Sequence, residues 1–245
     1  WSRGLGDVYK RQVFVCVGDD DDVRDVVLGD DGVLAGLGGR SGASAPVLVD
    51  HTTASASLAR ELHEEAGAVG VGFVDAPISG GQGGAERGTL TVMCGGDQAP
   101  FDAVAPVIDA YSAACTLIGG PGSGQLTKMV NQVCITGLLQ GLSEGLDLGM
   151  RAGLDMDLVL ATISKGAAGS WQMDHRGSTM VADEFDFGFA VEWMRKDLGI
   201  CLDEARRTGA TLPITALIDQ FYARIVAAGG QRLDTSSLVT LLRND

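Results

Sequence analysis

The sequence predicts an α/β parallel sheet, incomplete at its first strands, followed by an all-helical C-terminal domain. Two observations carry this. Up to residue 118, short apolar runs of four to six residues alternate with helical segments, the pattern of strands joined by crossover helices. From Gln125 to Ala152 there is no proline, and apolar residues recur at helical spacing (Met129, Val133, Leu138, Leu142, Leu146, Met150), which predicts one long helix.

Taken in order, residues 1–12 (WSRGLGDVYKRQ) show no periodicity. They can be back-translated into a string resembling a transposase adapter used in building sequencing libraries, so they are expected to be adapter-derived and are set aside. Val13–Val17 is a buried strand, and the DDDVRDVVL run opens a short helix with carboxylates at its positive end. Gly29–Gly42 reads as loop. Pro46–Asp50 is a strand, followed by a turn through His51-Thr52-Thr53 and a helix over Ala56–Ala66. Gly72–Asp75 is a strand leading into the loop Ala76–Gly81 and a Gly/Ala-rich segment to Gly88. Thr89–Cys94, Pro100–Ala110 and Cys115–Ile118 complete the first domain as strand, helix and strand. Beyond the long helix, helices are expected over Asp155–Ser164, Phe189–Arg207, Pro213–Ala228 (proline suits a first helical turn) and Thr235–Leu242. The domain boundary falls near Pro121, giving domains over 13–120 and 121–245.

Bulk composition excludes several functions. The net charge is −14, against the basic surfaces of nucleic-acid binders. The acidic run Asp19–Asp22 reads as a solvated helix start. No apolar run approaches the roughly 20 residues of a membrane span, and no basic-then-apolar leader opens the chain, so a cytosolic protein is expected. The five cysteines lack a C-x-x-C pair and sit in apolar contexts, as reduced core residues would. The three histidines show no metal-ligand spacing, so no metal is expected. Among 18 basic residues only four are lysine: Lys10, Lys128, Lys165 and Lys196. Where arginine is the general cation, a retained lysine points to chemistry that needs an adjustable ammonium.

Three stretches carry candidate chemistry. In DAPISGG, Ser79-Gly80-Gly81 follow a strand end and can offer N–H groups and a hydroxyl to an anion such as a carboxylate, although such loops are also common structural turns. In GSGQLTKMVNQ, Lys128, Asn131, Gln132 and Ile135 share one helix face. Lys128 can exchange a proton with an alcohol oxygen while hydride leaves the adjacent carbon; spacing alone equally allows a snorkelling lysine at a helix start. In FAVEWMRKDLGI, Arg195-Lys196-Asp197 reads by itself as a solvated face with a local ion pair.

DAPISGG, TVMCGGD, GSGQLTKMVNQ and RKDL, in this order and spacing, resemble the β-hydroxyacid dehydrogenase family, which includes 3-hydroxyisobutyrate dehydrogenase and the tartronate, glyoxylate and succinic semialdehyde reductases. The likeness covers the chain from Val13 onward. It implies a Rossmann-type NAD- or NADP-binding domain, a long interdomain helix, and a helical C-terminal domain used in homodimers or homotetramers. It implies that Ser79, Gly80 and Gly81 bind substrate, that Lys128 is catalytic, and that Asn131 contacts substrate. It further implies that Lys196 lies near the nicotinamide and that Thr53, in the family's D-x-S-T turn (here Asp50-His51-Thr52-Thr53), faces the cofactor. Val17-Gly18 matches more weakly the turn after the fourth strand. The family's G-x-G-x-x-G turn is absent before Val13. Roughly 60 residues, at about 30 per βαβ unit, are therefore expected to be missing, with impaired cofactor binding as the consequence. The activity implied is interconversion of a small 3-hydroxyacid and its semialdehyde. The alternatives are a 6-phosphogluconate-type oxidative decarboxylase, for which basic residues are sparse, and an inactive helical assembly module.

Overall fold

The structure is a computed structural model and describes residues 11–38 and 45–243. The expected adapter-derived segment lies outside the described residues except at its end, where Arg11 and Gln12 already join the sheet. The chain divides into two compact units, 1–128 and 129–245.

The first unit is built on strands β1 (Gln12–Val15), β2 (Val47–Asp50), β3 (Gly72–Asp75), β4 (Ile78–Ser79), β5 (Leu90–Gly96) and β6 (Ser112–Gly119). Its helices are α1 (Asp20–Leu28), α2 (Val33–Leu37), α3 (Ala56–Ala68), α4 (Gly81–Arg87) and α5 (Gln98–Ile108). Strands β1, β2 and β3 are parallel neighbours, with Leu48 paired to Val13 and Phe73. The two faces of β2 and β3 alternate strictly. Leu48 and Phe73 join Val23, Val27, Leu58 and Leu62 of α1 and α3 in one core. Val49 and Val74 join Val92, Val104 and Ile108 around α5 in another. Burial on both faces explains why these strands read as unbroken apolar runs.

The expectation of a parallel sheet needs one correction: β3 and β4 both pair antiparallel with β5, while β5 and β6 are parallel. After Asp75 the chain runs on through β4 and then α4, and β5 returns antiparallel to both β3 and β4. Further corrections are local. The first strand begins at Gln12 and ends at Val15, the expected loop after Gly29 contains α2, and residues 81–87 form α4.

The second unit contains most of α6 (Ser123–Arg151), then α7 (Met156–Ile163), α8 (Trp171–Val181), α9 (Val191–Thr208) and α10 (Pro213–Ala227), and a 3-10 turn (Thr235–Val239) running into α11 (Thr240–Arg243). Helix α8 was not expected from the sequence; its apolar residues are few, and Ser170 fixes its start by accepting from the Met173 N–H at 3.1 Å. The expected single helix over 235–242 is divided because Asp234 caps the 3-10 turn through the Ser236 N–H. Leu139 packs with Met194, Leu198, Ile218 and Tyr222, and Leu146 with Met156, Met180 and Val239. The buried stripe of α6 is therefore Met129, Gln132, Thr136, Leu139, Ser143 and Leu146, while the expected core residue Leu138 is 47% exposed. Two of the five cysteines, Cys16 and Cys134, are exposed rather than in the core.

Candidate functional site

In the first unit the carboxyl ends of β1, β2 and β3 meet in a hydrogen-bonded crest. The Asp50 side chain accepts from the Thr52 N–H at 2.9 Å, and the Thr52 hydroxyl accepts from the Val17 N–H at 3.0 Å. The expected Val17-Gly18 and His51–Thr53 turns are thus joined through a carboxylate that is 1% exposed. Burial pushes Asp50 up to about 6, against the lowering effect of its bonds from Thr52. Thr53 is half-buried beside these groups.

His51 turns to the other side of the sheet. Its Nδ1 is 2.5 Å from the Ala76 carbonyl and its Nε2 2.7 Å from the Tyr111 hydroxyl, and its ring stacks on Phe14. A carbonyl can only accept, so Nδ1 carries the proton and Nε2 accepts from Tyr111. Burial lowers the His51 pKa, which keeps the ring neutral, and raises Tyr111 to about 12. This histidine serves the sheet.

Asp75 roots the DAPISGG loop and is fully buried. Its two oxygens accept from the Gly122 N–H at 2.8 Å and the Gln125 N–H at 2.9 Å. The last residue of β3 therefore caps the first turn of α6. Burial nevertheless raises its pKa. The approach is close because side chains are missing. A Cβ on Gly124 would strike the backbone carbonyl oxygens of Met93 and Asp75, and one on Gly95 would lie 2.6 Å from Asp75 Oδ1. Beyond Asp75, Ser79 pairs with Thr91 on β5, and Gly80 and Gly81 take φ values of 131° and 60°, open to glycine. Ser79 and Gly80 are half-buried and Gly81 is exposed, as an anion-binding loop requires.

Gln125 is 1% exposed and uses both ends of its carboxamide: Oε1 accepts from the Ala54 N–H at 3.0 Å, and Nε2 donates to the Thr52 carbonyl at 2.7 Å. Lys128 follows three residues later on the same helix and is 7% exposed.

In the second unit, Asn131 and Lys196 fall on one polar chain. Asn131 Nδ2 donates to Gln132 Oε1 at 2.9 Å, Gln132 Nε2 donates to Asp197 Oδ2 at 2.6 Å, and Lys196 Nζ lies 3.1 Å from Asp197 Oδ1. Asp197 is 2% exposed, which corrects the reading of Arg195-Lys196-Asp197 as a solvated face. Arg195 turns instead to Asp219 at 3.0 Å. The sequence reading gave no role to Asp50, Asp75, Gln125 or Asp197. The signal available was a polar residue where helical or strand spacing demands burial. Among the described residues, no cluster of three or more His, Cys, Asp or Glu side chains could hold a metal ion, and no helix is long and apolar enough to cross a membrane.

The crest fits a dinucleotide in kind, because ligands of such sheets lie beyond the carboxyl ends of parallel strands, where Val17, Gly18 and Thr53 are found. Residues 5–119 match a family described as the NAD-binding domain of 6-phosphogluconate dehydrogenase, and residues 122–242 one described as NAD-binding of NADP-dependent 3-hydroxyisobutyrate dehydrogenase. An uncharacterized oxidoreductase of Shewanella frigidimarina is 59% identical over 94% of this chain and 77% of its own length. The 2-hydroxy-3-oxopropionate reductase of Escherichia coli is 33% identical over 94% of this chain and 77% of its own. The solved 3-hydroxyisobutyrate dehydrogenase of Mycobacterium tuberculosis, titled with L-serine, superposes with a TM-score of 0.82 at 29% identity, covering 96% of this chain and 80% of that one.

Proposed function

The chain belongs to the β-hydroxyacid dehydrogenase family, and from that premise we propose that it interconverts a small 3-hydroxyacid and its semialdehyde with NAD or NADP, using Lys128 for proton transfer. The observation that carries this is Lys128 itself. It is a lysine 7% exposed, on a helix whose first turn is bound to the root of the Ser79–Gly81 loop. Burying an ammonium is costly, and an interior lysine is retained where its charge or its proton is used.

When bound, the nicotinamide cofactor would supply the hydride acceptor or donor for the substrate's carbinol or carbonyl carbon. The Ser79 hydroxyl and the N–H groups of Gly80 and Gly81 hold the substrate carboxylate. Lys128 takes the hydroxyl proton in oxidation and returns it in reduction. Asn131 contacts the substrate, while Thr53, Val17, Gly18 and Lys196 face the cofactor; these roles rest on the match to the family's motifs. The Asn131–Gln132–Asp197–Lys196 chain supports the pairing of Asn131 with Lys196, since each is oriented by a buried partner. A homodimer or homotetramer is proposed on the same resemblance.

The test is a panel of hydroxyacids and semialdehydes, including 3-hydroxyisobutyrate, 2-hydroxy-3-oxopropionate, succinic semialdehyde and a phosphorylated sugar acid, with each nicotinamide cofactor. Turnover of an unphosphorylated 3-hydroxyacid is expected. In the full-length parent, Lys128→Ala is expected to lower kcat by about 10² to 10⁴, the range for a lost acid–base group, with an unchanged circular dichroism spectrum. Turnover within a few-fold of wild type in that variant would remove Lys128 from the reaction.

A further inference from the structure

Gln125 is buried, polar and absent from the proton and hydride steps. Its carboxamide bonds to the peptide groups on either side of Thr53: it accepts from Ala54 N–H and donates to Thr52 C=O. Both peptide planes that orient Thr53 are therefore fixed by one side chain. The backbone N–H of the same residue bonds Asp75, the root of the Ser79–Gly81 loop. One helical turn on, at a rise of about 1.5 Å per residue, the same helix presents Lys128.

We infer that Gln125 is a positioning residue that registers the Thr52–Ala54 turn, and through it the cofactor, against Lys128; this rests on the dehydrogenase reading above. Three parts of the first unit that the reaction needs in fixed relation converge on this one residue.

None of the elements it joins needs it in order to form. Helix α6 has Asp75 at its first turn, α3 has its own cap in Ser55, which accepts from Leu58 N–H at 3.1 Å, and the turn is held by Asp50 and Val17. What Gln125 adds is the link between them. The link demands a donor and an acceptor at the end of a side chain of this length. Methionine matches the length and supplies no donor and only a weak acceptor. Ionised glutamate supplies only acceptors and sets a negative charge against the Thr52 carbonyl.

The experiment compares Gln125→Met and Gln125→Glu with wild type in the full-length parent protein. In Gln125→Met, kcat/KM for the nicotinamide cofactor is expected to fall about tenfold, the scale of two lost buried hydrogen bonds. The hydroxyacid KM should stay within about twofold and the primary deuterium isotope effect on kcat should rise, as a misplaced hydride path requires. A merely structural residue would reduce the amount of active protein and leave the KM values and the isotope effect alone.

Gln125→Glu adds a rescue. Protonated, the carboxyl again offers an O–H to Thr52 C=O and a carbonyl to Ala54 N–H. Its activity relative to wild type should therefore climb between pH 8 and pH 6, while the ratio for Gln125→Met stays flat. The neighbouring titratable groups Asp50, His51, Asp75 and Lys128 are present in all three proteins, so the ratio removes their direct contribution.

Hydrogen exchange without cofactor gives an independent readout: the Ala54 amide should exchange about tenfold faster in Gln125→Met. Wild-type turnover together with unchanged KM, isotope effect and Ala54 protection in Gln125→Met overturns the positioning role alone. No nicotinamide-dependent turnover by the full-length wild type overturns the dehydrogenase reading, and the positioning role falls with it.

Discussion

At the scale of single residues, the first unit keeps two carboxyl groups under its crest, and their chemistry differs from that of surface acids. Asp50 releases its proton at about pH 6 in the folded chain and near 3.8 when unfolded. Between those values folding takes up a proton. The stabilising contribution of this group is therefore complete below the unfolded value and is lost as pH rises through 6. The loss amounts to about 2 kcal/mol between pH 4 and pH 7, since a tenfold difference in proton affinity is worth about 1.4 kcal/mol. Asp50→Asn keeps an acceptor for the Thr52 N–H and removes the ionisation. Urea unfolding at several pH values is expected to show wild-type stability declining over this window relative to the variant, and parallel pH profiles would locate the titration elsewhere. At this scale Lys128, Ser79–Gly81, Thr53 and Lys196 are candidates because they stand in motifs. Asp50, Asp75, Gln125 and Asp197 stand in the same motifs, but their part in holding them is not legible there; the burial of each, at 2% exposure or less, shows that it must be bonded within the fold.

At the scale of elements, α6 shows both what a pattern can convey and what it hides. Its length was readable because no proline interrupts it and apolar residues keep their helical spacing past Gly137, Gly141, Gly145 and Gly149. Its buried face was not, because that face carries Gln132, Thr136 and Ser143 among its apolar residues. The two hydroxyls satisfy themselves by bonding back one turn, Thr136 to the Gln132 carbonyl and Ser143 to the Leu139 carbonyl at 2.7 Å. A stripe of small self-satisfied polar groups can thus pack like an apolar one, and counting only hydrophobic residues shifted the face onto exposed Leu138. The antiparallel turn-back into β5 was hidden for a different reason: strand direction is decided by which edge the chain reaches after Asp75, a long-range choice that local alternation does not encode. The start of α6 is more tightly specified. Gly124 lies against the Met93 and Asp75 carbonyls, where there is no room for a methyl group. Gly124→Ala is expected to push the helix start away from β5 and to cost roughly 1–3 kcal/mol as an overpacking change. At about 2–4 °C per kcal/mol for a chain of this size, the thermal midpoint should fall by several degrees. The same substitution at Gly137, where nothing lies within 4 Å of the added Cβ, serves as the control and should stabilise slightly or leave the midpoint unchanged.

At the scale of the whole molecule, the net charge of −14 opposes the ligands it is proposed to take. A hydroxyacid and a nicotinamide dinucleotide are both anions, so the long-range field of the chain repels them, and attraction must come from nearby groups such as the N–H groups of the Ser79–Gly81 loop and Lys128. Much of the positive charge is already committed, since Arg24, Arg151, Arg176, Arg195, Arg206, Arg207, Arg232 and Arg243 are each in an ion pair. Salt acts differently on the two scales. At 0.15 M the screening length is about 8 Å, short enough to suppress the distant repulsion and long enough to leave a contact at hydrogen-bond distance largely intact. Raising ionic strength from about 0.01 to 0.15 M is therefore expected to increase kcat/KM for the anionic substrate by about two- to threefold, less than the roughly tenfold or more of strongly steered association. An enzyme steered by a basic funnel would show the opposite slope. The measurement is the initial rate at low substrate concentration across a salt series, repeated with an inert salt of a second anion to separate screening from competition. A steady decline with both salts would place a dominant positive potential over the site and contradict an approach governed by net charge.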